Sequence, residues 1–241
     1  MEPESENTAD WAAWHGAYDD PESSLSRRLA TVQDRIREVL DGAPTGGFRA
    51  VSLCAGEGRD LISVLAGHPR RGDVTARLVE LDERLAASAR AAAGAAGLDG
   101  VEVVAGDASR TGAYAGAVPA SLVLACGIFG NITGADIERT IGLLPRLCGP
   151  GAHVIWTRNR KKPDMVPQIG RWFAEHGFEE RRLSPSEGGH CVGVHRFTGR
   201  PVPLGDDVQM FEFVGYYNIW KDEPAPGEQW REWSRRQAGK A

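Results

Sequence analysis

The sequence predicts an α/β fold: a doubly wound, mainly parallel sheet with helices on both faces and a helical cap at the N-terminus. Three observations predict it. From Phe48 onward, short apolar runs alternate with helical patterns. The first run ends in a small-residue turn, VSLCAGEGRD (Val51 to Asp60), which needs backbone without side chains at the end of a strand. After Phe178 the alternation stops, and two strand-like runs, FEERRLS and HCVGVHRFTG, follow one another across a PSEGG turn, as an antiparallel pair at one edge.

The elements follow in chain order. Glu2 to Asp10 is polar and acidic and is expected to be disordered or weakly held. Trp11, Trp14, His15 and Tyr18 stand at helical separations and can share one face of a short helix. A second helix runs through SSLSRRLATVQDRIREVLDG. Ser24 is its expected cap, Leu29, Val32, Ile36 and Leu40 form its apolar stripe, and Gly42 is its stop. Strands are then expected at RAVSLC, ARLVEL, VEVVAG, SLVLACG and HVIWT. The helices between them are DLISVLAGH, ERLAASARAAAGAAG, ADIERTIGLLPRLC closed by GPG, and MVPQIGRWFAEHG. These divide the chain into a cap over 1–47, a sheet domain over 48–200 and a C-terminal extension over 201–241.

The totals bound the function. The chain has 241 residues and a formal net charge of −5, with 41% hydrophobic and 25% charged residues. Its pI near 5.7 disfavours a protein that grips nucleic acid by charge alone. The four cysteines, Cys54, Cys126, Cys148 and Cys191, form no CxxC pair and no zinc spacing, so buried free thiols in a reducing compartment are expected. The acidic N-terminus is unlike a signal peptide and no apolar run is long enough to cross a bilayer. A cytoplasmic location without membrane or nucleic-acid partners is therefore expected.

In open α/β sheets, ligands bind beyond the carboxyl ends of the strands. Gly56 and Gly58 mark such a place, although a glycine turn by itself also serves strand-to-helix geometry. Glu80 ends the next strand, 22 residues beyond Gly58, where an acid can accept hydrogen bonds from ribose hydroxyls, and Asp82 reads as the cap of the following helix. Asp107 ends the third strand, where a carboxylate can accept from an exocyclic amine. The turn is not GxGxxG, offers no evident pyrophosphate nest, and no GK[ST] exists.

SLCAGEGRD, LVELDERLAASARAA, VEVVAGDAS and SLVLACGIFGN, in this order and spacing, resemble the successive motifs of class I S-adenosylmethionine-dependent methyltransferases. The resemblance spans roughly Arg49 to Gly199 and implies a seven-stranded, Rossmann-like sheet with an antiparallel edge strand and S-adenosylmethionine as cofactor. It implies that Cys54, Ala55, Gly56 and Gly58 pack against the methionine part, and that Glu80, with Leu81 beside it, binds the ribose. Asp107, between Gly106 and Ala108, would reach the adenine amine, and Cys126 and Gly127 would line the methionine end. Two positions depart from the pattern: Ser52 stands where the family has an acid, and Cys54 where it has its first glycine. WHGAYDDP and VIWTRNRKKPD resemble a bacterial subgroup acting on small molecules.

Methyl transfer needs positioning and water exclusion, and a base only where the acceptor must lose a proton early. His15 has a suitable ordinary pKa for such a base. Tyr18 is a candidate ligand of the cofactor carboxylate. Asn131 is placed to orient the acceptor, with Phe129 as a wall. Arg158, in the run Thr157 to Arg160 after the fifth strand, is placed to bind an anionic group. Surface or packing roles compete for each of these residues. His153, His176, His190 and His195 read as structural. Tyr216, Tyr217 and Trp220 are expected to form a lid or a homodimer contact. The expected acceptor is a small molecule methylated on N or O, a secondary metabolite such as a cyclic dipeptide or a phenol. A nicotinamide-dependent oxidoreductase and a non-catalytic, cofactor-binding partner subunit are the competing readings.

Overall fold

Seven strands order as β3-β2-β1-β4-β5-β7-β6, with the topological switch between β1 and β4. The computed structural model describes residue 20 and residues 23–161, 163–185 and 189–215. The strands are β1 (Phe48–Leu53), β2 (Val74–Glu80), β3 (Val101–Ala105), β4 (Ala120–Ala125), β5 (Cys148–Asn159), β6 (Phe178–Leu183) and β7 (His190–Phe197). The helices are α1 (Ser24–Gly42), α2 (Leu61–Gly67), α3 (Glu83–Ala95), α4 (Gly134–Leu143) and α5 (Val166–Glu175). β1 to β5 pair in parallel, and β7 runs antiparallel to both β5 and β6. The reversed strand therefore lies one place inside the edge, and β6 is the edge itself.

Alternate side chains feed two cores, as buried strands require. Ala50, Leu78, Leu122, Leu124 and Ile155 face α1, α2 and α3. Val51, Leu53, Val123, Val154 and Trp156 face α4 and α5. On this second face the buried His195 accepts a hydrogen bond at Nδ1 from Trp156 Nε1 at 3.0 Å and stacks on Phe173 at 4.1 Å.

Several sequence expectations shift, each for a local reason. The cap of α1 is Ser23, whose hydroxyl accepts from the Ser26 amide, and not Ser24. Gly42 belongs to the helix and does not stop it. The Arg70 guanidinium takes up the carbonyls of Leu40, Ala43, Pro44 and Gly46, which closes the helix end from outside. The helix expected to run to Cys148 ends at Leu143, because Pro145 cannot continue it, and passes through a 3₁₀ turn, Leu144–Arg146. Gly149, Pro150 and Gly151 lie inside β5, where the register against β4 shifts between Ala120 and Leu122 and leaves Pro150 exposed in a bulge. Thr157, Arg158 and Asn159 belong to β5 and do not follow it, since pairing with Val192, Cys191 and His190 of β7 extends the strand.

Beyond β7, residues 201–215 form an extended strap over the α4–α5 face, with Met210 and Phe211 buried in its core. The cap residues 1–19 and the tail aromatics Tyr216, Tyr217 and Trp220 lie outside the described residues, as do His15 and Tyr18.

Candidate active site

The carboxyl ends of β1, β2 and β3 bring the predicted cofactor residues together. The glycine turn leaves β1 through Cys54, whose φ of 49° is left-handed, followed by Gly56 at 57° and Gly58 at 66°. Cys54 adopts the backbone that the expected glycine would supply, at a cost of about 1 kcal/mol. Gly58 has no such latitude: a Cβ there would meet Ile62 Cδ1 at 2.6 Å and Leu78 Cδ2 at 2.7 Å. Its carbonyl accepts from the Ile62 amide and so begins α2.

Glu80 holds the turn. One carboxylate oxygen accepts from the Gly56 amide at 2.8 Å and the other from the Asp82 amide at 2.9 Å. The Glu80 carbonyl accepts from the Gly106 amide, tying β2 to the end of β3. Asp107 is exposed, with Oδ1 accepting from the Ser109 amide. Leu81, beside Glu80, is an apolar side chain left 73% exposed. Ala108 is buried, and its carbonyl accepts from Tyr114 Oη. Burial pushes the Cys54 thiol well up, and the charges of Glu80 and Asp107 add to the shift.

Asp60 and Arg28 escaped the sequence reading as site residues. Asp60 ends the turn, with Oδ1 on the Leu61 amide. Burial raises its carboxyl, against the pull of that amide and of Arg28 from α1. Burial likewise raises Cys126 at the end of β4, where Asp60 and Arg28 act in opposite directions. An acid directly after a glycine turn was the available signal for Asp60. Arg28 carried none, because only folding brings α1 over the turn, where Gln33 Nε2 also donates to the Arg59 carbonyl.

The carboxyl end of β4 is built differently. The Gly127 amide donates to Thr157 Oγ1 of β5, and the space a Cβ of Gly127 would fill is open. Asn131 Nδ2 donates to the Gly127 carbonyl at 2.7 Å, closing the loop on itself. Arg158 is buried, and its Nη1 donates to the Phe129 carbonyl. Phe129 is fully buried against Trp156 and Phe173, so it belongs to the core and is no wall of an open site. Two concavities lie elsewhere. One of about 170 Å³ sits between the turn, α2 and α3, and one of about 130 Å³ at the amino ends of β1 to β3; neither is lined by Glu80, Asp107 or Gly127. Among the described residues no group of His, Cys, Asp and Glu is arranged to hold a metal, and no helix is long and apolar enough to cross a membrane.

No family model matches the sequence, and no curated protein matches it. Solved structures do match. The carbon methyltransferase CurJ superposes with a TM-score of 0.62 at 13% identity, over 79% of this chain and 59% of its own. Magnesium protoporphyrin IX methyltransferase from Synechocystis PCC 6803, with bound S-adenosylhomocysteine, gives 0.60 at 12% identity, over 79% and 95%. The chain has the class I methyltransferase fold. An O-methyltransferase family protein from Burkholderia thailandensis shares that fold with a TM-score of 0.53 at 17% identity, over 78% of this chain and 69% of its own. Within the methyltransferase fold, the glycine turn after β1 and the Gly127 loop after β4 flank the switch point.

Proposed function

We propose that this chain is an S-adenosylmethionine-dependent methyltransferase acting on a small molecule. One observation carries the choice of cofactor: the Gly56 amide, which a dinucleotide site would aim at pyrophosphate, is occupied by the Glu80 carboxylate. A phosphate brought there would meet a negative charge. Glu80, Asp107 and Asp60 together suit a ligand that is cationic, carries hydroxyls and an amine, and has no phosphate. This counts against the nicotinamide reading.

The residues present fit S-adenosylmethionine. Glu80 retains lone pairs for ribose hydroxyls, Asp107 Oδ2 for the adenine amine, and Leu81 an apolar surface for the base. Asp60 and Arg28 offer opposite charges for the amino and carboxylate groups, which answers the absence of an acid at Ser52. When bound, the cofactor supplies a methyl group already activated on a sulfonium for in-line displacement. The Gly127–Asn131 loop borders the acceptor side, where Asn131 Oδ1 is left to accept from an N–H or O–H. Arg158 holds that loop through Phe129 and adds positive charge beneath it. His15 remains the proposed general base and Tyr18 a proposed ligand of the cofactor carboxylate. Phenols and cyclic dipeptides, with a proton to lose from O or N, are the acceptors this reading favours.

The test is release of S-adenosylhomocysteine from S-adenosylmethionine with panels of phenols and cyclic dipeptides. Turnover that falls in His15→Gln with unchanged cofactor affinity supports the reading. Tight cofactor binding with no product from any acceptor would replace it with the non-catalytic partner subunit.

A further inference from the structure

The strap starts at the 3₁₀ turn before β5, where the Val202 amide donates to the Pro145 carbonyl and Arg146 to the Leu204 carbonyl, and then reaches loops at the carboxyl end of the sheet. Asp207 accepts from Arg110 and from the Gly112 amide, and Thr111 and Val208 exchange hydrogen bonds. The Met210 amide donates to the Ser109 carbonyl at 2.7 Å, two residues beyond Asp107. The chain then crosses to α4. Arg139 Nε and Thr140 Oγ1 both donate to the Met210 carbonyl, and the Glu212 amide donates to Asp136 Oδ2 at 3.1 Å. Finally the amides of Val214 and Gly215 both donate to the Asn131 carbonyl, at 2.9 and 3.0 Å. The strap thus joins the loop that carries Asp107 to the loop that carries Gly127 and Asn131.

Asp136 is the pin of this arrangement. It is 7% exposed, on the first turn of α4. Its Oδ1 accepts from Arg139, and its own amide donates to Thr133 Oγ1. The Thr133 bond is the N-cap of α4, but a helix does not require the bonds to Arg139 and Glu212 from its third residue. A buried carboxylate is costly unless its bonds are made, and one of the bonds made here is to the strap.

We infer that Asp136 is a positioning residue of the site: by holding Glu212 it sets the strap, and through Val214 and Gly215 it sets the Gly127–Asn131 loop against which the acceptor is placed. The inference gives a use to the C-terminal extension that a lid or a dimer contact does not. It deepens the proposed methyltransferase function and rests on that function only for what the loop faces.

The test is residue-resolved amide exchange on the full chain, for the wild type, Asp136→Ala and Asp136→Asn, beside titration with S-adenosylhomocysteine. In Asp136→Ala the amides of Gly127, Val214 and Gly215 are expected to exchange about tenfold faster, while those of Met210 and of β1 to β4 keep their rates. Asp136→Asn keeps an acceptor for the Glu212 amide and is expected to stay within about twofold of the wild type at all of them. Affinity for S-adenosylhomocysteine is expected to fall about threefold in the alanine variant and to hold in the asparagine variant. Unchanged exchange at Gly127 in Asp136→Ala, a uniform acceleration of all amides, or equal damage by Ala and Asn would each overturn the inference. A wild type that binds no S-adenosylhomocysteine would defeat the proposed function and leave the exchange result to decide the pin.

Discussion

The two halves of the carboxyl edge are built by opposite means. At the ends of β1, β2 and β3, the proposed cofactor groups sit on or just after the last strand residues and are bonded to a neighbouring strand end or within their own loop: Glu80 to Gly56, Gly106 to Glu80, Asp107 to Ser109. At the ends of β4 and β5, Arg158 likewise bonds a neighbouring loop at Phe129, but Asn131 and Asp136 are bonded to the returning strap, at Val214 and Glu212. The first half is held between adjacent strand ends. The second depends on the packing of two helices and a strap. A cofactor common to many enzymes suits the first construction, and an acceptor particular to one enzyme suits the second.

The comparison can be broken where it is most rigid. Gly58→Ala puts a Cβ into Ile62 and Leu78 at a left-handed φ, and is expected to cost about 3 kcal/mol in urea unfolding, together with cofactor binding. A loss below about 1 kcal/mol would mean that the turn is looser than its contacts imply.

The α4–α5 face of the sheet, over which the strap runs, should answer to pH. Burial pulls His195 from 6.5 down to about 4. Below pH 6.5 the unfolded chain takes up a proton that the folded chain refuses until about pH 4. Stability is therefore full above the ordinary value and falls as pH drops through this window, by about 3 kcal/mol in all. His195→Phe should remove that slope while lowering the whole curve, since Trp156 Nε1 loses its acceptor. Urea unfolding at several pH values reads it, and an unchanged slope in the variant would assign the dependence elsewhere.

Within the first half, Glu80→Ala frees the turn and removes the proposed ribose ligand, so calorimetry should find S-adenosylhomocysteine binding weakened on the order of 100-fold. Asp107→Ala should weaken it about tenfold with little change in stability, because its carboxylate is exposed. Asn131→Ala should change that affinity less than about threefold while suppressing turnover of an acceptor. An Asn131 variant that loses the cofactor as Glu80→Ala does would erase the division between the halves.

That division also governs what was legible in the sequence. Strand and helix order, both covered faces, the antiparallel pair and the Asp82 cap were readable, because apolar period and turn chemistry are local. Glu80 and Asp107 were readable for the same reason, although only Glu80 ends its strand: β3 stops at Ala105 and Asp107 stands two residues beyond it. Arg28 was not, because nothing in α1 announces that the helix lies over the turn. Arg158 was legible as a residue and not as a place, since pairing with β7 carries β5 past it and buries it. Phe129 looked like a site wall and is core. Asp136 carried no signal of its own, because its bond to Glu212 exists only once the strap returns over α4.

The most direct measurement is calorimetric titration of the full chain with S-adenosylmethionine, S-adenosylhomocysteine and NAD. The account predicts binding of the first two in the micromolar range and none of NAD, because Glu80 occupies the amide that a pyrophosphate would need. Binding of NAD, or of none of the three, would contradict it.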